Sequence, residues 1–306
     1  MVKDESYTTD DIARLLKVSK LTVYDLIKRG ELKSYRVGRQ IRVDASELED
    51  YKIREQEVKT SPASKRHTEK TETSVRSVVI SGQDSSLDIL SRSLEEGNTI
   101  QPLRSHRGSL DSLIAMYEGR ADIVSTHLFD GDTGDYNIPY IRKILVSNPF
   151  VVFKFIERQA GFYVAKNNPK NIKAWEDLKR GDVSIVNREQ GAGARILLDE
   201  QLRLHNIKRN NVNGYNIEQT SHLSVASAIT NGQADVGVGI ENAAKMAGVD
   251  FIPKMKENYD LVILNTQNNQ SLIDQVTNIL KDQSFQDKLK SLGYTVDDMG
   301  DIIWEQ

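Results

Sequence analysis

Four loops of the chain place small, hydroxyl or charged residues directly before a predicted helix. They are residues 80–86, 106–109, 187–195 and 220–222. The N-terminus of a helix presents free backbone N–H groups and the positive end of the helix dipole, and both favour an anion. One loop of this kind is common in α/β proteins, but four in one region predict a site for a small anionic ligand.

One of these loops carries an arginine that is well placed for direct contact with such a ligand. Arg188 follows the apolar strand 183–186 and precedes a glycine-rich turn, so its guanidinium is expected to reach the mouth of a cleft. Arg195, at the start of the next helix, is equally suited to hold an Asp or Glu. His127 and His222 fit a structural role as well as they fit ligand contact.

A second group of charged residues lies nearer the N-terminus. Between residues 20 and 42 the only acids are Asp25 and Glu31, in a chain whose formal net charge is -3. The seven basic residues of this stretch are Lys20, Lys28, Arg29, Lys33, Arg36, Arg39 and Arg42. A local basic patch predicts contact with the phosphates of double-stranded DNA. The candidate DNA contacts are Ser19, Lys20, Thr22, Tyr24, Lys28, Arg36, Arg39 and Arg42.

Composition argues against several other kinds of chemistry. The chain has no cysteine, which rules out disulfides, thiolate zinc sites and cysteine nucleophiles. No metal-ligand cluster, nucleophile–base spacing or phosphate-loop lysine motif stands out, so we expect neither an enzyme nor a resident cofactor. An N-terminus without an apolar signal core and the lack of a membrane-length apolar stretch predict a cytoplasmic protein that does not enter a membrane.

The basic patch is positioned by a predicted helix-turn-helix. Thr8 and Ser19 are expected to cap two short helices, and residues 34–43 alternate about a Gly38-Arg39 turn as a β-hairpin, or wing. Residues 1–54 are therefore predicted to form a DNA-binding domain. Residues 55–74 are almost without large apolar side chains and are predicted to be a linker.

The remainder, residues 75–306, contains a repeated pattern. Residues 109–127 and 224–240 each run from a helix through Gly-x-Ala-Asp into an apolar strand. A module used twice predicts two similar α/β lobes with the ligand held between them. We place lobe 1 at about residues 75–157 and 258–306, and lobe 2 at about 158–257.

The N-terminal segment YTTDDIARLLKVSKLTVYDLIKRGELKSYRVGRQIRVDASELEDY resembles the excisionase and MerR-like winged-helix family along its whole length. The resemblance implies that the second helix enters the major groove and that the wing lies near the minor groove or the DNA backbone. Excisionases are usually short, so the long C-terminal portion favours a regulator over a recombination factor.

The C-terminal portion resembles type II periplasmic-binding-protein folds. The segments that carry the resemblance are GSLDSLIAMYEGRADIVSTHLFD, TGDYNIPYI, VNREQGAGARILLDEQL, TSHLSVASAITNGQADVGVG and FIPKMKENYDLVI. More narrowly, it is similar to a cytoplasmic branch that is fused to DNA-binding domains and related to molybdate- and tungstate-binding proteins. The resemblance implies an oxyanion or another small anionic ligand. The pocket residues that it implies are Asp84, Ser85, Ser109, His127, Arg188 and Arg195.

The glycine-rich loop departs from the pattern of that branch. Where the family usually has Gly-Ser-Gly-Thr-Arg, this chain has Gly191, Ala192, Gly193, Ala194 and Arg195. Two hydroxyl donors are missing while the backbone N–H groups remain, which leaves room for a larger organic ligand.

These observations together predict an α/β protein with a small winged helix-turn-helix domain followed by a two-lobed ligand-binding domain. The predicted function is a ligand-responsive transcription regulator that senses a small anion, with molybdate and tungstate as candidates. The alternatives are a sensor of a small organic metabolite, an enzyme on the two-lobed fold, and an architectural DNA-binding protein. A homodimer is expected because paired half-sites raise DNA affinity.

Overall fold

A computed structural model describes residues 6–16, 23, 26–27, 32–37, 40–48, 51 and 75–306. The chain divides into two compact units, residues 1–71 and residues 72–306. Within the described residues no helix has the length and apolar character needed to cross a membrane.

The first unit contains a small antiparallel sheet. Its elements are β1 (Ser6–Thr8), α1 (Thr9–Leu16), β2 (Tyr35–Val37) and β3 (Gln40–Asp44), with strand order β1-β3-β2. At the start of α1, Thr8 Oγ1 accepts a hydrogen bond from the Asp11 N–H (3.3 Å), and the Asp11 carboxylate accepts one from the Thr8 N–H (3.1 Å). This reciprocal cap satisfies two N–H groups that the helix itself leaves open. The sequence pattern did not predict β1.

Among the described residues of the first unit, six buried side chains pack together as a core: Ile12, Val23, Leu26, Leu32, Val43 and Leu48. Strands β2 and β3 pair as the predicted hairpin, with Arg36 in β2 and Arg42 in β3. Arg42 Nη1 donates to Ser6 Oγ at 3.1 Å. The other DNA-contact candidates, Ser19, Lys20, Thr22, Tyr24, Lys28 and Arg39, lie outside the described residues.

The second unit is built on one long curled sheet. Its strands are β4 (Arg76–Ser81), β5 (Ile100–Ser105), β6 (Ile123–Thr126), β7 (Phe150–Val164), β8 (Ile185–Arg188), β9 (Glu218–Gln219), β10 (Val236–Ile240), β11 (Asp250–Leu264) and β12 (Ile302–Glu305). The strand order is β5-β4-β6-β11-β7-β10-β8-β9, and β12 pairs with β7. Parallel strands lie at both ends of the sheet, and the antiparallel pair β7–β11 lies between them.

Helices cover both faces of this sheet. They are α2 (Ser86–Glu95), α3 (Ser109–Tyr117), α4 (Ile138–Ile144), α5 (Gly193–Leu204), α6 (His222–Thr230), α7 (Glu241–Ala247), α8 (Gln270–Lys281) and α9 (Gln283–Ser291). Short 3₁₀ turns occur at Trp175–Lys179, Arg209–Asn211 and Gln267–Asn269. The result is a layered α/β arrangement in which each sheet face is buried by helices.

The buried apolar residues divide this unit into two lobes. Two clusters lie around β4–β6, one on each face of the sheet, and two lie around β8 and β10. The 15-residue strands β7 and β11 run through both lobes. Phe153 packs in lobe 1, whereas Phe162 packs in lobe 2.

Strands β7 and β11 are therefore the connection between the lobes, and we call them the hinge strands. Their pairing is interrupted between Pro253 and Met255 and again between Tyr259 and Leu261. A β-bulge at such an interruption bends the paired strands locally. Both interruptions lie where the chain passes from one lobe to the other.

The repeated Gly-x-Ala-Asp pattern has the same role in each lobe. The two aspartates hold the neighbouring backbone, with Asp122 Oδ2 accepting from the Val79 N–H (2.7 Å) and Asp235 Oδ2 accepting from the Ser184 N–H (2.8 Å). The preceding glycines, Gly119 and Gly232, have φ of 72° and 67°. This left-handed conformation ends each helix and favours glycine.

Candidate ligand-binding site

A cavity of about 720 Å³ lies between the two lobes. Its walls come from the loops that precede α2 and α3 in lobe 1 and the loops that precede α5 and α6 in lobe 2, together with the start of α7. The four loops singled out in the sequence thus meet at one place. The volume falls within the range of roughly 300–1,000 Å³ that small-molecule sites occupy.

A buried arginine at the hinge organises one end of this cavity. Arg158 on β7 donates to Asp84 Oδ2 from Nη1 (2.6 Å) and to Glu257 Oε1 from Nε (2.9 Å). Arg158 and Asp84 are each only 8% exposed and Glu257 1%. The guanidinium also lies 4.1 Å from the centre of the Tyr259 ring. We call Asp84, Arg158, Glu257 and the adjacent His127 the charge cluster.

The charge cluster keeps its carboxylates ionised. Burial raises the pKa of Glu257, but the Arg158 guanidinium and His127 outweigh this effect and hold the pKa well below its ordinary value. Burial likewise opposes ionisation of Asp84, yet Arg158 and hydrogen bonds from Ser86 lower its pKa overall. A buried charge of either sign is tolerated only with such partners.

Asp84 lines the cavity, but its carboxylate is already occupied. Besides Arg158 it accepts hydrogen bonds from the Ser86 N–H (2.8 Å) and from the Tyr294 hydroxyl (2.7 Å). Its neighbour Ser85 is exposed at the cavity wall, with its Oγ 3.0 Å from the Tyr294 hydroxyl. The structure therefore gives Asp84 the role of holding Arg158, and leaves Ser85 available to a ligand.

Arg188 ends β8 and lines the cavity. Its side chain is 2% exposed and is fixed by Glu189 (Nε–Oε2 2.7 Å) and by Gln83 of lobe 1 (Nη2–Oε1 2.5 Å). Nη2 also donates to the Thr220 carbonyl at 3.3 Å. Among the described residues, Nη1 has no hydrogen-bond acceptor, which leaves it for a ligand in the cavity.

The residues of the glycine-rich loop after Arg188 have three different roles. Ala192 and Gly193 line the cavity at the N-terminus of α5. Gly191 instead offers its carbonyl to the Leu110 N–H of lobe 1 at 3.1 Å. Ala194 is buried in the lobe 2 core.

Arg195 is the main departure from the predicted site. Its Nη1 donates to Glu218 Oε1 and to the Arg188 carbonyl, both at 2.9 Å, and its guanidinium lies 4.3 Å from the centre of the Tyr215 ring. It does not line the cavity. Three members of the predicted ligand set therefore do not line the cavity. An ion pair accounts for Arg195, core packing for Ala194 and the contact with Leu110 for Gly191.

The two histidines both line the cavity, one from each lobe. Their ring centres are 6.4 Å apart. His127 Nδ1 lies 2.8 Å from Glu257 Oε2, an ion-pair distance without the alignment of a hydrogen bond. Burial, reinforced by Arg188 and Arg158, lowers the pKa of His222 well below its ordinary value. His222 is therefore neutral near pH 7 and contributes a polar ring without adding charge.

Three helix N-termini converge on the cavity. Ser109 begins α3, Gly193 begins α5 and His222 begins α6, and all three residues line the cavity. First-turn N–H groups have no partner within their own helix. Ser109 Oγ is engaged by the His127 N–H at 3.3 Å. The site therefore offers backbone donors from both lobes and one arginine nitrogen, a set suited to an anion.

The lobes touch along one side of the cavity through glycine backbone, and we call this contact, residues 108–110 against 191–193, the glycine seam. A methyl group added at Gly108 would lie 2.7 Å from the Gly191 carbonyl oxygen, and one at Gly193 would lie 2.5 Å from the His127 ring. Both distances are shorter than the contacts that a Cβ atom makes with non-bonded heavy atoms. The seam therefore depends on the absence of side chains at these positions.

The sequence pattern did not identify Arg158, Glu257, Tyr259 or Tyr294 as site residues. The signal for the first two was weak, since each is one of several charged residues in a 15-residue strand. A charge in a buried strand requires a partner, but the pattern does not show which one. No comparable signal marks the two tyrosines.

Comparison with known proteins supports the architecture. The model of the PBP superfamily domain matches residues 91–281, and that of a helix-turn-helix domain matches residues 6–55. The uncharacterized protein YvgK of Bacillus subtilis is 48% identical over 309 residues, which cover all of both chains.

Two solved structures illustrate the fold. The sulfate-binding protein SubI of Mycobacterium tuberculosis has a TM-score of 0.50 at 17% identity, covering 72% of this chain and 86% of its own. A C206 mutant of OxyR from Corynebacterium glutamicum has a TM-score of 0.52 at 12% identity, covering 93% and 89%. The two family models confirm the predicted fold class: the chain belongs to the PBP superfamily and carries a helix-turn-helix domain at its N-terminus.

Proposed function

We propose that this protein is a DNA-binding transcription regulator that responds to a small anion bound between its lobes. A helix-turn-helix domain joined to a PBP-like domain supports a ligand-sensing regulator. The main support for an anionic ligand is that three helix N-termini meet at one cavity together with Arg188. The Nη1 atom of this arginine has no hydrogen-bond acceptor among the described residues. We propose a cytoplasmic homodimer as the working form, because paired DNA-binding domains read two half-sites.

The proposed response is a shift between open and closed lobes. An anion that contacts donors of both lobes binds more tightly when the glycine seam is formed. It changes DNA affinity only by the difference between its affinities for the two states. Activation and repression are equally compatible with this scheme.

A melting experiment on the full chain tests anion binding. Binding to the native state alone stabilises it by about 2.7 kcal/mol at a hundredfold excess of ligand over Kd, so a true ligand raises Tm clearly. Sodium molybdate and tungstate are the first inorganic probes, followed by sulfate and phosphate. The anion that raises Tm is then added to a DNA-binding titration, in which a change in affinity supports the regulator. An absence of any shift with both inorganic and organic anions contradicts the proposal.

Arg188→Ala tests the ligand role of the open guanidinium nitrogen. We expect about tenfold weaker anion binding, since a hydrogen bond from a charged donor to a buried anion is lost. Isothermal titration calorimetry measures the change. Arg180→Ala is the matched control, because that arginine is paired with Asp182 outside the cavity. If Arg188→Ala lowers Tm without changing affinity, Arg188 serves only to hold Glu189 and Gln83.

Arg42→Ala tests the wing. Loss of one phosphate contact should weaken binding to all DNA sequences and reduce the slope of log K against log salt by about one unit. Arg14→Ala on α1, with a side chain that is 80% exposed, removes the same charge from another surface. Equal losses in the two variants, measured by fluorescence anisotropy at several salt concentrations, would show that net charge and not the wing is responsible.

A further inference from the structure

We infer that the ligand of this cavity is an organic monoanion with an apolar body, such as a medium-chain or aromatic carboxylate, and not a bare inorganic oxyanion. The inference rests on the proposed function, since it assumes that the cavity between the lobes is the sensing site. It narrows the chemical class of the ligand through three features of the cavity: its size, its apolar wall and its balance of charge.

The first feature is the space that remains when the lobes already touch. The glycine seam is formed, with the Leu110 N–H 3.1 Å from the Gly191 carbonyl, and Arg188 reaches Gln83 across the cleft. The cavity still measures about 720 Å³. A tetrahedral oxyanion has only five heavy atoms and would leave most of this space to water. A ligand of drug-like size fills such a volume.

The second feature is an apolar wall on lobe 2. We define the apolar strip as Leu223, Ile240, Ala243 and Met246, all of which line the cavity. Ile240 and Ala243 are buried, yet Met246 is 75% exposed and Leu223 41%. Large apolar side chains left open beside a binding cleft indicate that an apolar group covers them in the bound state. Hydrated oxyanions gain nothing from such a surface.

The third feature is the balance of charge around the cavity. Three arginines line it, Arg107, Arg158 and Arg188, and so do three acids, Asp84, Asp111 and Glu189. Arg158 is paired with Asp84 and Glu257, and Arg188 with Glu189. Little uncompensated positive charge remains for a dianion. Ala192, which lines the cavity, also provides no hydroxyl donor. A ligand with one negative charge therefore matches the available positive charge and hydrogen-bond donors better than a ligand with two.

The carboxylate and the apolar body of such a ligand would bind at adjacent parts of the cavity. The carboxylate fits at Arg188 Nη1 and the N-termini of α5 and α6. Leu223 is the second residue of α6, so the apolar strip begins one residue after the helix N-terminus at which the carboxylate is placed. Helices α6 and α7 pack against each other, and they extend the strip from Leu223 to Met246.

The test is a series of straight-chain carboxylates, from acetate through butyrate and hexanoate to octanoate, with benzoate and phenylacetate as aromatic members. Binding to the full chain is measured by calorimetry and by melting, beside molybdate, tungstate, sulfate and phosphate. We expect affinity to rise about threefold to fourfold for each buried methylene, and to stop rising when the strip is covered. Met246→Ser should flatten this dependence on length. Val146→Ser, which also removes an exposed apolar side chain but lies outside the cavity, should leave it unchanged.

The outcomes separate the inference from the proposed function. Tight binding of an inorganic oxyanion without binding of any carboxylate overturns the inference and leaves an anion sensor in place. Carboxylate binding that does not depend on chain length, or that responds equally to both serine variants, also overturns it. If neither class of anion binds, both the inference and the proposed function fail.

Discussion

Replacing Arg158 with methionine should lower the free energy of unfolding by about 3–5 kcal/mol, because it leaves two buried carboxylates without their cation. Asp84 and Glu257 both depend on this guanidinium, and Tyr259 lies against it. Methionine keeps the apolar length of the side chain, so the loss reports the charge and its hydrogen bonds. Chemical denaturation of the full chain at pH 8 measures it.

The effect of Arg158→Met should depend on pH in a definite direction. Without the cation, burial raises the pKa of both carboxyls above their values in the unfolded chain. Stability is then lost as pH rises, so the difference between variant and wild type should be smaller at pH 5 than at pH 8.

Lys154→Met is a matched control for this variant. Lys154 lies on the same strand and also contacts two carboxylates, Glu157 (3.3 Å) and Asp298 (3.1 Å), but with its side chain 21% exposed. Pairs near the surface contribute less than about 1 kcal/mol. If both methionine variants lower the free energy of unfolding by the same amount, the charge cluster adds no more to stability than a surface ion pair does.

Gly108→Ala should weaken ligand binding by about tenfold to a hundredfold while both lobes stay folded. The added methyl group meets the backbone of Gly191 and Ala192, which cannot move unless the lobes separate. Overpacking of this kind costs about 1–3 kcal/mol, and here that cost falls on the closed state alone. Gly108 has φ of -64° and ψ of 163°, which alanine adopts without strain.

The chain offers a direct measurement of this opening. Because it has no cysteine, one introduced on each lobe, Glu118→Cys and Lys208→Cys, can be spin-labelled without background. Electron paramagnetic resonance then gives the distance between the lobes, which Gly108→Ala should increase. Gly181→Ala is the control, since an added methyl group there has no neighbour within 4 Å. An unchanged distance together with unchanged affinity would show that the seam is not part of closure.

Local sequence patterns predicted much of the fold of this protein. They did not predict contacts between residues that are far apart in the sequence. The Gly-x-Ala-Asp repeat and the four loops before helices are recognisable because each is set by residues close in sequence. The charge cluster is not, because Arg158 and Glu257 are brought together by the register of two strands that lie about a hundred residues apart. That register follows from the packing of whole lobes, which no single segment encodes.

Arg195 is a residue for which the local pattern predicted a ligand contact and a long-range contact decided otherwise. A basic residue at a helix start beside glycines fits both an anion ligand and an ion pair. The choice depends on Glu218, which a distant strand brings within 2.9 Å. Arg188 and Arg195 are only seven residues apart, yet their surroundings give them different roles.

The hinge strands also set how quickly the protein can respond. Both strands run from one lobe into the other, and their pairing shifts register at two places. Opening therefore needs changes of φ and ψ at a few residues, without unfolding of the sheet, and such motions take microseconds to milliseconds. If the lobes of the proposed sensor open and close on this timescale, the hinge adds no delay longer than milliseconds to its response. A sensor of this kind follows the present concentration of its ligand and keeps no record of an earlier exposure.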